Sequence, residues 1–235
     1  ALVVGWGVGE TAWIVDRITL PGDPSDPEPW QQLDALLEYG YLHASGHRLP
    51  ISATAIDSAG HRTSFVYDYV AKKQKRNVLA IIGRAGPGLI ISSPSPRRWG
   101  RQQREVPLYT IGVDAAKAII LSRLDLVDPS ARGYVHLPLE PWCDEELAQQ
   151  LTSEYLKKTW HKGIPSLVWT KKRTANHALD MFCYALAALR WLNPDLAWHV
   201  AHLAPGGAPA PDVPPAAPRP RAGWLGPPRA GWLRR

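Results

Sequence analysis

Apolar residues recur along this chain at two spacings, every second position and every third or fourth, and their alternation predicts strands interleaved with helices. Residues 2–6 and 11–16 read as two strands joined across Gly7-Val8-Gly9-Glu10, a hairpin signal. The glycines at 5, 7 and 9 belong to that turn; no G-x-x-x-x-G-K-[ST] run occurs to make them a nucleotide loop. Pro29 opens a helix in which Trp30, Leu33, Leu36 and Leu37 share a face, ending near Gly40. Residues 51–57 form an apolar, β-favouring run, and Ser58, Ala59 and Gly60 follow at once. This stretch predicts a central strand that presents Asp57 at the rim of a sheet, before a helix carrying Phe65, Val66, Tyr69 and Val70 on one side. Residues 78–82 predict a buried strand, residues 88–104 a loop rich in serine, proline and arginine, and residues 108–114 a strand that ends in Asp114. A helix follows from Ala115. Residues 134–137 predict a short strand, residues 144–158 a helix with acids in its first turn, and residues 161–170 a hairpin. Asn176 is a candidate N-cap for a last helix whose stripe is Leu179, Phe182, Cys183, Leu186 and Leu189. The fold class expected is α/β.

Composition changes this picture little. At 235 residues, 45% hydrophobic and 20% charged, the chain suits one domain, or one domain with a tail. We expect a domain over residues 1–200 and a low-complexity, disordered tail over 201–235, where proline, alanine, glycine and arginine dominate and R-A-G-W-L occurs twice. No apolar run suits a bilayer span, no signal pattern opens the chain, and Cys143 and Cys183 suggest no disulfide framework, so an intracellular, reduced protein is expected. The net charge of +6 is mostly a tail property: Arg219, Arg221, Arg229, Arg234 and Arg235 stand there against Asp212 alone. Four of the six charges therefore say nothing about the folded part.

The candidate chemistry lies at strand ends. Ligands of open α/β sheets gather there, which makes Asp57 either a site acid or only a cap for the following helix. Arg84 ends the next strand. Arg97, Arg98, Arg101 and Arg104 surround Trp99, a pattern suited to phosphate contact with stacking and equally to a solvated loop. Asp180 stands beside the apolar stripe of the last helix, where a carboxylate is costly unless paired, hydrogen-bonded or holding a metal; it is also a first-turn acid that the helix dipole favours.

The order of elements and acids resembles a ribonuclease H-like nuclease fold without its opening strand. The strings V-V-G-W-G, L-P-G-D-P, A-I-D-S-A-G-H-R-T, V-Y-D-Y-V, G-R-A-G-P-G, Y-T-I-G-V-D-A-A-K, L-T-S-E and N-H-A-L-D-M-F-C-Y-A-L-A-A-L together resemble the nuclease domain of lambda-like tailed-phage terminase large subunits, over residues 1–192. The resemblance implies that Asp57 and Asp180 are the second and third active-site acids. Asp114 is implied as a further metal ligand, and Lys117 as a residue that supports cleavage or grips phosphate. Arg84, Arg97, Arg98, Arg101 and Arg104 are the DNA-contact candidates beside them.

The cofactor implied is Mg²⁺ or Mn²⁺, two ions, since the ligands are oxygens without a Cys/His cluster. The partners implied are double-stranded viral DNA, the small terminase subunit and the capsid portal, with no membrane, in the bacterial host's cytoplasm. The family's first acid lies in a strand just upstream, which this chain is expected to lack, together with the packaging ATPase domain. The activity implied is cutting of concatemeric DNA at genome ends, impaired in this stretch alone. The alternative is an inactive remnant or docking module that binds DNA or the portal without cutting.

Overall fold

The structure is a computed structural model and describes residues 1–161 and 164–203. Of the expected tail over 201–235, residues 201–203 are the end of a helix; residues 204–235, with their arginines and both R-A-G-W-L copies, lie outside the described residues.

Among the described residues, a four-stranded and a three-stranded sheet are accompanied by six α-helices. β1 (Leu2–Trp6) and β2 (Ala12–Arg17) form the expected antiparallel hairpin, with β9 (Val135–His136) parallel to β2 on its other side. The second sheet runs β5 (Thr54–Asp57), β6 (Val78–Arg84), β8 (Arg104–Gly112), β7 (Ser95–Trp99); the first three are parallel and β7 is antiparallel to β8. β3 (Tyr41–Leu42) with β4 (Arg48–Leu49), and β10 (Glu154–His161) with β11 (Ile164–Lys171), are separate two-stranded ribbons.

Both faces of the four-stranded sheet are covered, as parallel strands require. On one side α1 (Glu28–Glu38) and α2 (Thr63–Lys73) bring Leu33, Leu37, Val66, Tyr69 and Val70 onto Val78, Ala80, Val106 and Leu108. The alternate residues Leu79, Ile81, Tyr109 and Ile111 meet α5 (His177–Leu192) on the other side. The three-stranded sheet packs Ala12 and Ile14 against α5, α3 (Val113–Leu124) and α4 (Glu145–Leu151). α5 is thus the element the two sheets have in common, and the edge strands β1 and β5 both rest on it. Asn193, in the left-handed conformation with its N–H on the Leu189 carbonyl, closes α5 before Pro194. α6 (Leu196–Leu203) follows.

Four expectations are corrected. β5 is the edge strand of its sheet rather than a central one. The arginine-rich segment is no loop: Arg97 and Arg98 lie in β7, paired across a turn with β8. Asp114 sits in the first turn of α3, which starts at Val113, and not at a strand end. The helix from Asp144 stops at Leu151, and residues 154–158 are strand. In β10, Tyr155, Leu156, Lys157 and Lys158 are all exposed, so no helical stripe is buried to hold that segment in a helix.

Candidate active site

The carboxyl ends of the parallel strands meet the start of α5, and the acids collect there. Asp57 is the last residue of β5, exposed, and registered against Ile81 of β6. One carboxylate oxygen accepts the Ala59 N–H at 2.9 Å, which fixes the turn; the other accepts the Tyr184 hydroxyl at 3.3 Å. Tyr184 reaches it over Gly83 of β6, where a Cβ would stand 3.5 Å from the hydroxyl and 3.0 Å from Val113. Asp180 lies four residues before Tyr184 and so on the same face of α5. Burial, then Asp57, then Asp180 push the Tyr184 phenol up, so it stays a hydrogen-bond donor to Asp57.

Asp180 is half-buried in the first turn of α5. Burial raises its carboxyl above the ordinary aspartate range; Lys117 opposes this, Glu154 adds to it, and Lys171 and His177 lower it. Burial also pushes the neighbouring Cys183 thiol up, so it is no thiolate nucleophile.

Lys117 points inward from α3. Its ammonium meets Glu154 at 2.8 Å, with both side chains nearly out of solvent at 9% and 3% exposure. Asn176 donates its amide to the other Glu154 oxygen at 2.9 Å. Asn176 therefore holds the N-cap position without using its side chain as a cap; Gln150 of α4 accepts the Ala178 N–H instead, at 3.1 Å. Glu154, Asn176 and Lys117 form a buried trio beneath Asp180. Glu154 was not among the sequence candidates. Only its place in the quoted string L-T-S-E could have marked it, since the segment reads as the later part of a helix.

Asp114 accepts the Gly86 N–H at 2.7 Å and so pins the loop that follows Arg84. Gly112, just before α3, is crossed by the Leu89 carbonyl, 2.3 Å from where a Cβ would stand, so only glycine lets that loop close. Arg84 is exposed three residues beyond Ile81, on the strand beside Asp57. The other arginines are elsewhere. Registers running from Asp57 through Ile81 and Tyr109 put Arg97, Arg98, Arg101 and Arg104 toward the opposite end of the sheet, about 20 Å away at ordinary strand spacing and rise. There Arg98 pairs with Glu105 and Arg104 with Asp68, while Trp99 donates to Asp68. Among the described residues no group of three or more His, Cys, Asp or Glu side chains gathers as a metal-ligand set.

The profile of the terminase large subunit gpA endonuclease domain matches residues 1–200. The terminase large subunit of Enterobacteria phage P21 is 35% identical over 194 residues, covering 80% of this chain and 30% of that protein. That of Escherichia phage lambda is 35% identical over 192 residues, with the same coverage. The chain therefore spans less than a third of the length of these relatives. No solved structure matches.

Proposed function

The chain belongs to the terminase large subunit gpA endonuclease-domain family, and from that membership we propose that it is the metal-dependent endonuclease portion of a DNA-packaging enzyme, cutting concatemeric viral DNA at genome ends. The observation that carries the proposal is the Tyr184 hydrogen bond to Asp57 at the carboxyl edge of the parallel strands, with Asp180 one turn before Tyr184 on the same face of α5. The donor set suits a hard cation: two carboxylates, one of them half-buried and engaged only through longer-range charge among the described residues. Mg²⁺ or Mn²⁺ held by Asp57 and Asp180 would supply an electrophile toward a phosphodiester and a more acidic water. The chain's own residues do the rest. Tyr184 orients the Asp57 carboxylate, the Lys117–Glu154–Asn176 trio fixes the start of α5 under Asp180, and Arg84 offers a guanidinium to a phosphate. Lys117 acts here as a positioning residue. Asp114 holds the loop carrying Arg84, with one oxygen left for a ligand.

In this reading the fold is ribonuclease H-like and a further strand completes it. β1 and β5 each end their sheet and both lie on α5, and a strand laid between them would join the sheets into one. Its residue nearest Asp57 is the place for a third acid. The viral duplex, the small terminase subunit and the capsid portal are the partners proposed, with the work done in the bacterial host's cytoplasm. No described helix is long and apolar enough to cross a membrane.

Mn²⁺ should raise the melting temperature of the chain, because a ligand held by the folded state alone stabilises it. Asp57→Asn and Asp180→Asn should each remove most of that rise. Supplying an acid-bearing strand between β1 and β5 should bring Mn²⁺-dependent plasmid cleavage that Asp57→Asn abolishes. An unchanged Mn²⁺ response in both single variants would sink the site, and cleavage surviving both would place the chemistry elsewhere.

A further inference from the structure

The β10–β11 ribbon has no place in the chemistry described so far, yet it starts inside the site. Glu154, its first residue, holds Lys117, and the Lys172 N–H closes its base on the Ser153 carbonyl at 2.7 Å. From there the two eight-residue strands pair with each other and with no other strand among the described residues. An isolated hairpin of this kind should hide its apolar side chains. This one shows them: Trp160 and Leu167 are each 66% exposed, and Leu156, Tyr155 and Val168 are exposed too.

Register sorts these residues. Leu156 faces Trp169, Lys158 faces Leu167 and Trp160 faces Pro165, so these alternate pairs share one face, on which Glu154 and Lys171 are the basal pair. Glu154, at the foot of that face, is bonded to Lys117 of α3 and to Asn176 at the start of α5, so the face rises from beside Asp180. Lys158 lies over the Trp160 ring at 5.1 Å, and Lys172 over Tyr155 at 5.6 Å. Across residues 155–172 there are five lysines and no acid.

We propose that the ribbon is a DNA-engaging arm, which lays its Trp160–Leu167–Lys158 face into a groove of the duplex and holds it beside Asp57 and Asp180. The proposal rests on the nuclease reading for the identity of its ligand. A two-stranded ribbon fits the width of the major groove. Lysines along both strands meet phosphates, and exposed aromatic and apolar side chains gain by contact with base edges and sugars. A second copy of the chain is the competing occupant, but it would bring the same lysines with no acid to answer them.

The test is fluorescence anisotropy with the whole chain and a labelled duplex of roughly 30 base pairs, in EDTA, over a range of salt. Replacing Lys158 and Lys171, the two lysines of that face, together by Gln should weaken binding about tenfold near 50 mM salt and lower the salt slope by about 2. Trp160→Ala with Leu167→Ala should weaken binding several-fold at every salt, with the slope unchanged. Both variants are exposed changes and should keep the parent's circular dichroism spectrum. Affinity within about twofold of the parent in the Trp160/Leu167 variant overturns the proposal. So does sedimentation showing a dimer that this variant dissolves while DNA affinity stays the same. Because metal is absent throughout, failure of the Mn²⁺ response at Asp57 counts against the nuclease reading and leaves this measurement standing.

Discussion

Ionised Asp180 opposes folding. Burial raises its carboxyl above the unfolded value, so the folded state binds that proton more tightly, and stability is lost as pH rises through the two values. Asp180→Asn should therefore raise the melting temperature at pH 7 by about 1–3 °C, a small effect because the group is partly exposed. The gain should shrink as pH falls into the ordinary aspartate range and vanish below it; a gain that grows on acidification would reverse the sign argued here. Lys117 makes the opposite case. Lys117→Met leaves Glu154 in the interior with only Asn176 as donor, and should cost about 3–5 kcal/mol in urea denaturation. Adding Glu154→Gln should recover roughly half of that, since the loss comes from the stranded charge. A single variant as stable as the parent would show that the pair holds nothing. Neither Lys117 nor Glu154 announces the other in the sequence: they lie on α3 and β10, 37 residues apart, and only packing brings them together.

Elements differ in how much they carry, and α5 carries most. Phe182, Leu186 and Leu179 are fully buried there against the three-stranded sheet, α3 and α4. Leu186→Ala should cost about 2–5 kcal/mol, the lost transfer energy plus the cavity it leaves. The same change at Leu167, on the ribbon, should stay within about 0.5 kcal/mol. Parallel measurements on both variants check the contrast; similar losses would mean that the ribbon packs as the core does. α5 was readable in advance because its 3.6-residue stripe is long and its start is marked by Asn176. β7 and β10 were not, because residues 95–98 and 155–158 show no alternation of buried and exposed positions: all of them are exposed. What makes them strands is pairing across a turn, a non-local bond pattern that local polarity does not betray.

The charge of the whole molecule is divided between its parts. Residues 204–235 hold five arginines and one acid, so removing them should take the net charge from +6 to +2 and weaken nonspecific DNA binding, with a flatter salt dependence. Filter binding at two salt concentrations checks this; an unchanged slope would assign that binding to the folded part alone. The sequence by itself determined the alternation of strands and helices, the placing of Asp57 beside a tight turn and of Asp180 on the apolar helix, and the family to which the chain belongs. Those features depend on neighbours within a turn or two, or on strings of residues in order. Tertiary structure alone decided that Lys117 is buried on Glu154, that Tyr184 reaches Asp57 from 127 residues away, and that β1 and β5 end on one helix. It also decided that four of the five arginines stand at the far end of the sheet, because register counts distance across strands and the chain order does not.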